Sequence, residues 1–284
     1  MMFELFATEL AEIDRRLAAA PDLPLPEAMR TVPLEVFAEL LLGVPGHLPA
    51  VAARLPSMPD DQVQRNWTGN HGMALMHQSL AFVRTLLGLW GRHSGRGIDT
   101  ASVLDFGCGW GRLLRLLLHV VPEGMLYGVD SWDESIRLCR ESGLRCRLAV
   151  SDEVPTTLPF PGPFDLIFAF SVFTHLSERT ARTVLATLRR VVRDDGLLCL
   201  TIRPVEYWAH RGGAGCEDLA ARHRATGFAF APHQRRPAAD GDITYGDTSL
   251  TLGALERLAP GWRISRVEWT GHDPLQVIVA LVPT

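Results

Sequence analysis

One stretch constrains this chain more than any other: Val103-Leu104-Asp105-Phe106-Gly107-Cys108-Gly109-Trp110-Gly111-Arg112. An apolar run of strand type passes into three glycines at alternate positions and then into a helical pattern. Glycine lets the backbone turn sharply and approach a ligand, and a helix N-terminus presents unpaired N–H groups. A strand–turn–helix unit of this kind belongs to a sheet with helices packed on its faces. The spacing is not that of the dinucleotide fingerprint, whose third glycine would fall where Arg112 stands. Asp105, two residues before the first glycine, would repel a pyrophosphate but could receive an ammonium group. A nicotinamide oxidoreductase is disfavoured on that ground.

The pattern around this stretch divides the chain. Residues 1–99 read as helical. Phe3, Phe6, Leu10, Ile13 and Leu17 share one helix face, and Pro21, Pro24 and Pro26 end it. A short helix is expected from Pro33 to Leu42, and a long one from Met73 to about residue 92. The polar segment 55–72 between them reads as turns. Residues 100–284 alternate strands and helices: strands ASVLDF, MLYGVD, LRCRLAVS, FDLIFAF and LLCLTI, then a closing pair WRISRVEW and LQVIVALV. The helices are expected over 111–121, from 131 with Ser131 as cap, over 177–193 and over 249–258. The turn TGHDP is too short for a crossover, so the closing pair is an antiparallel hairpin. The fold class is therefore α/β, five strands alternating with helices and then an antiparallel closing pair. It carries an N-terminal helical cap and an insertion, 203–247, after the fifth strand.

Open α/β sheets bind ligands at the carboxyl ends of their strands. The second strand ends in Asp130, whose carboxylate can accept both hydroxyls of a ribose or, alternatively, cap a helix beside Ser131. The third ends in Ser151-Asp152 with Leu158-Pro159-Phe160 beyond, a placement suited to an adenine pocket. The fourth ends in Phe170-Ser171-Val172-Phe173-Thr174-His175-Leu176. Taken in order, DFGCGWGR, LYGVD, SDE…LPF and FDLIFAFSVFTHL resemble the successive motifs of class I S-adenosylmethionine-dependent methyltransferases, over roughly residues 100–203. The resemblance implies a Rossmann-like, seven-stranded, mostly parallel sheet with the last strand antiparallel, S-adenosylmethionine as cofactor and S-adenosylhomocysteine as product. Asp105, Gly107, Cys108 and Gly109 would then face the methionine moiety, Asp130 and Ser131 the ribose, and Ser151, Asp152 and Phe170 the adenine side. Trp110 is bulky for its place in such a loop.

The acceptor side must be read locally. A sulfonium favours aromatic faces, and Trp67 through Gly72 offers a loop with Trp67, His71 and Gly72 as ligand contacts, or a plain helix start. His175 could deprotonate an acceptor or simply bond backbone. Tyr207, Trp208, His210 and Tyr245 mark the insertion as the substrate side, with Tyr207 and His210 also as candidate catalytic groups. The stretch 222–236 is basic with interleaved aromatics and reads as a solvated flap. Three of the insertion's histidines lack metal-ligand spacing, and no metal is expected.

Composition narrows the function classes. All 28 basic residues are arginine, which removes lysine-based catalysis and P-loop nucleotide sites. The net charge of −4 gives no pull toward nucleic acid or an anionic membrane. Five cysteines without a CxxC pair argue against a disulfide framework, and no apolar run spans a bilayer. Together with what the resemblance implies, these features lead to the expectation of a cytoplasmic enzyme that methylates a small molecule, aromatic or moderately apolar, by in-line displacement. The N-terminal helices serve as a lid or as the interface of a homodimer. The same fold and cofactor would also serve aminocarboxypropyl transfer, cofactor cyclisation or a non-catalytic binding subunit.

Overall fold

The computed structural model describes residues 2–233 and 241–284. The chain packs as two compact units, each built from two stretches. The first unit comprises Met1–Ala101 and Cys108–Ala149. It contains the helices α1 (Ala7–Ala19), α2 (Leu25–Met29), α3 (Leu34–Leu42), α4 (Pro49–Arg54), α5 (Asp61–Thr68) and α6 (Gly72–His93). Then come α7 (Arg112–Leu117), strand β2 (Leu126–Asp130), α8 (Asp133–Glu141) and β3 (Arg147–Val150).

The second unit comprises Ser102–Gly107 and Val150–Thr284. It begins with β1 (Val103–Phe106), β4 (Phe164–Ala169), α9 (Glu178–Val191) and β5 (Val192–Ile202). The insertion follows as α10 (Glu206–Arg211), α11 (Cys216–Thr226), β6 (Phe228–Pro232) and β7 (Gly246–Leu250), and the chain closes with α12 (Leu252–Leu258), β8 (Trp262–Glu268) and β9 (Val277–Pro283).

Seven strands form one sheet in the order β3-β2-β1-β4-β5-β9-β8, and β6 and β7 form a separate antiparallel ribbon. β1, β4 and β5 are parallel neighbours, whereas β9 runs antiparallel to both β5 and β8. Every residue of β1 and β4 is buried, as expected for parallel strands covered on both faces. The strand order reverses beside β1, whose carboxyl end carries the glycine loop.

Where helices differ from the sequence reading, caps and packing account for it. The segment 55–72 is not all turn: Asp60 accepts a hydrogen bond from Val63 N, and Gly69 in the left-handed region closes α5. α2 forms among the prolines because Pro26 occupies its first turn, where no intrahelical donor is lost. Ser131 does not cap α8; Trp132 holds that position without a side-chain bond. α7 is shorter than expected, ending at Leu117. The expected helix 249–258 starts only at Leu252, capped by Thr251, because Ser249 and Leu250 pair into β7. Of the expected flap 222–236, residues 222–226 are helical and 228–232 are strand, while 234–236 lie outside the described residues.

Candidate active site

In the first unit, the glycine loop and the end of β2 are tied together through backbone amides. Gly109 N donates to Asp130 Oδ2 at 2.8 Å, Trp132 N donates to Asp130 Oδ1 at 2.9 Å, and Cys108 N donates to Val129 O at 3.0 Å. An ionised carboxylate has about four acceptor positions, so these two bonds orient Asp130 and leave it able to accept more. Gly109 and Gly111 have φ of +53° and +75°. A methyl at position 111 would lie 2.6 Å from Leu144 Cδ2, while one at 109 would only touch the Trp67 ring at 3.7 Å.

Trp67, on α5, stacks on Trp132 with ring centroids 4.8 Å apart and a 17° interplanar angle. Trp132 keeps 46% of its surface exposed. The α5–α6 turn is held by buried Gln64, whose Oε1 accepts from Gly72 N at 3.0 Å. His71 faces outward and pairs with Arg65 and Asp61. Behind the loop, fully buried Arg115 donates to Ser57 O and Trp110 O and lies over the Trp110 ring. Burial lowers its pKa to about 10, so it stays charged at neutral pH. Trp110 is therefore accommodated by turning inward beneath the loop.

In the second unit, Asp105 is 2% exposed on β1 and sits in register with Phe168 on β4. Gly107, at φ +78°, packs so closely on Val172 that a methyl there would lie 2.4 Å from Cγ2. Beyond β4, half-buried Phe170 leads to Ser171, a non-glycine residue at φ +60°. Ser171 is held there by Thr201 Oγ1, which accepts from its N–H at 2.8 Å, and by Gln276 Nε2, which donates to its Oγ at 3.0 Å. Strain at a strand end of this kind concentrates at functional sites. Ser151 is buried at the end of β3, and Asp152 beyond it is exposed.

The insertion converges on one carboxylate. Asp247, on β7, receives Tyr207 OH at 2.7 Å and Arg203 Nη1 at 3.0 Å on Oδ1. Its Oδ2 receives Arg211 Nε at 2.9 Å and His233 Nε2 at 3.2 Å. Burial alone would raise its pKa, but the bonds from Tyr207, His233 and Arg211 and the charge of Arg203 hold it well below the usual carboxylate range. Burial, with the bond to Asp247 adding to it, pushes the Tyr207 hydroxyl up to about 12. His175 stacks on Tyr245 at 4.9 Å. Its Nδ1 donates to Gly246 O at 2.7 Å and its Nε2 lies 3.2 Å from Arg203 Nη2, which fixes the neutral tautomer with its proton on Nδ1. Burial and then Arg203 lower its pKa to about 4.

Against known proteins, residues 103–196 match the model of a methyltransferase domain. The chain is 34% identical over 154 residues to trans-aconitate 2-methyltransferase of Azoarcus sp. (strain BH72), covering 49% of this chain and 58% of that protein. It is 31% identical over 112 residues to an uncharacterized methyltransferase of Schizosaccharomyces pombe, covering 35% and 39%. The chain thus spans little more than half of the first curated relative and less of the second. Residues 103–196 thus form a methyltransferase domain. Magnesium protoporphyrin IX methyltransferase of Synechocystis PCC 6803 with bound SAH shares the fold at a TM-score of 0.51 and 15% identity, covering 78% of this chain and 94% of that one.

Gly109, Asp130 and Trp67 fall in one unit, and Asp105, Gly107, Phe170 and Ser151 in the other. Tyr207, Tyr245 and His175 gather around Asp247, Tyr245 through its stack on His175. Two expected residues stand apart from them. Trp208 is fully buried, its Nε1 donating to Ser249 Oγ at 2.7 Å, so it packs the insertion and is closed to a substrate. His210 lies exposed on α10. The sequence reading missed Asp247, Arg203, Ser171, Gln276 and Trp132. Trp132 was findable, since it follows Asp130 by two residues; Asp247 had no local signal, because its partners lie 14 to 44 residues before it, in 203–211 and at His233. No helix is long and apolar enough to cross a membrane, and no group of metal-ligating side chains occurs, among the described residues.

Proposed function

We propose that the protein transfers a methyl group from S-adenosylmethionine to a small-molecule acceptor. The observation that carries this reading is the Gly109 N–Asp130 Oδ2 bond, a strand-end carboxylate oriented by the amide of a glycine loop. The glycine cradle fits a ligand pressed against backbone, and the acceptor carboxylates of Asp105, Asp130 and Asp152 fit one carrying an ammonium, two hydroxyls and an amine. In this assignment Asp105 and the backbone of Gly107, Cys108 and Gly109 hold the amino-acid end of the cofactor. Asp130 and Ser131 hold the ribose, and Ser151, Asp152 and Phe170 the adenine side, with Trp67 and Gly72 assigned as further cofactor contacts. The cofactor supplies an electrophilic methyl on a sulfonium; the chain supplies binding, alignment and exclusion of water.

Tyr245, His175, His71 and Tyr207 are assigned to the acceptor. The preference for an aromatic acceptor loses support, since Trp208 is spent on packing and the Tyr207 hydroxyl on Asp247. A small carboxylic acid fits better. Its carboxylate is already ionised at neutral pH and requires no base, in keeping with a His175 whose two ring nitrogens are both engaged. The Azoarcus relative, by its name, acts on trans-aconitate, and trans-aconitate is the first acceptor to try. Incubation with S-adenosylmethionine should yield S-adenosylhomocysteine and a methyl ester by mass spectrometry. Methylthioadenosine instead would mean that another sulfonium carbon reacts. Calorimetry showing no binding of either adenosyl compound would overturn the cofactor assignment itself.

A further inference from the structure

A cavity of about 330 Å³ opens in the second unit where α9, α11, β6 and α12 meet. None of its walls comes from residues assigned above to cofactor or acceptor. Its size falls at the lower end of small-molecule sites, about 300–1,000 Å³. The floor is apolar: Phe228, Ala254 and Leu258 line it and are all buried. The rim is cationic, with Arg182, Arg222 and Arg257 against a single carboxylate, Glu178.

Two of these guanidinium groups are set in place by the protein. Arg257 Nη2 donates to Thr226 O at 2.8 Å, and Arg182 donates to Arg257 O and Glu178 Oε1, each at 3.3 Å. Gly227, at φ +80°, makes this approach feasible. A methyl there would lie 2.7 Å from Thr251 Oγ1, 3.2 Å from Ala254 Cβ and 3.3 Å from Arg257 Nη2. Among the described residues the Arg222 guanidinium has no hydrogen-bond or ion-pair partner. A planar fork of donors beside an apolar floor matches a ligand with an anionic head and an apolar body.

We propose that this cavity binds a small organic anion, a phosphate ester or carboxylate whose apolar body rests on Phe228 and Leu258. The inference does not depend on the methyl-transfer reading. Calorimetric titration of the full chain with phenyl phosphate tests it, with benzoate, phenol and inorganic phosphate in parallel. Saturable one-to-one binding is expected, weakened about tenfold by Arg222→Ala through loss of a charge-assisted hydrogen bond. Arg222→Lys should restore part of it. Arg263→Ala, on an exposed face of β8, should leave it unchanged, and S-adenosylhomocysteine affinity should be the same in Arg222→Ala. Tighter binding of phenyl phosphate than benzoate would support phosphate esters, and the reverse carboxylates. The site is overturned if neither phenyl phosphate nor benzoate saturates, if phenol binds as well as the anions, if inorganic phosphate matches phenyl phosphate, or if Arg263→Ala weakens binding as much as Arg222→Ala.

Discussion

The three loop glycines are not equivalent, and their surroundings rank them. Gly109 needs only its left-handed backbone, because a methyl there would meet the Trp67 ring at ordinary distance. Gly109→Ala should therefore cost about 1–2 kcal/mol, the backbone term alone. Gly107→Ala and Gly111→Ala add overlaps at 2.4 Å with Val172 and 2.6 Å with Leu144, and should cost distinctly more. Urea denaturation of the three variants would check the order; equal losses would mean that the loop relaxes freely. Asp130→Ala removes the partner of both Gly109 N and Trp132 N. Affinity for S-adenosylhomocysteine should then fall at least tenfold, as for a hydrogen bond to a charged group of about 1.5–3 kcal/mol. At this scale the sequence was most legible where chemistry is local. Asp105, the glycines and Asp130 stand within 26 residues of one another. Ser171 was opaque: nothing in its neighbours announces a positive φ, which is imposed by Thr201 and Gln276 from far along the chain.

The insertion is the element that the sequence described least well, because its order comes from Asp247 rather than from periodicity. Four donors fill that carboxylate, and they tie α10 and the end of β5 to β7. With side chains only 11% and 10% exposed, Arg203 and Asp247 form a buried pair. Asp247→Ala should cost about 3–5 kcal/mol, since it strands a buried cation, and should expose 203–250 to limited proteolysis before the rest of the chain. The same cluster makes a pH prediction. His175 falls from 6.5 to about 4 on folding, and Asp247 is also depressed. A depressed folded pKa means stability that is complete above the unfolded pKa and lost as pH falls toward the folded one. Thermal stability should thus decline from pH 6.5 to pH 4 through His175, by on the order of 3 kcal/mol at most, and further below pH 4 through Asp247. His175→Gln should flatten the upper window while leaving the lower one; an unchanged profile would remove His175 as its source.

At the scale of the whole molecule, the family resemblance carried the seven-stranded sheet, and the α/β class was readable from alternation alone, since each parallel strand is a short apolar run followed by a crossover. The division into units was not. β1 groups with the strands that follow β3, whereas the loop it enters groups with the N-terminal helices, which pack on α7 through α3 and α6. Composition cannot reveal such a grouping, because it depends on which apolar faces meet. The cofactor assignment draws on residues of both units, Trp67 to Phe170, and so makes a prediction about global stability. A ligand that binds only the folded chain stabilises it by about 2.7 kcal/mol at a hundred times its Kd. For a chain of this size that corresponds to a rise in Tm of about 5–10 °C. Saturating S-adenosylhomocysteine should produce such a rise in the native protein, and adenosine, lacking the amino-acid arm that Asp105 would receive, a smaller one. Asp130→Ala should lose most of the shift at the same ligand concentration. An equal shift from adenosine would leave Asp105 and the first glycines without a role in binding, and a full shift in Asp130→Ala would move the ribose away from β2.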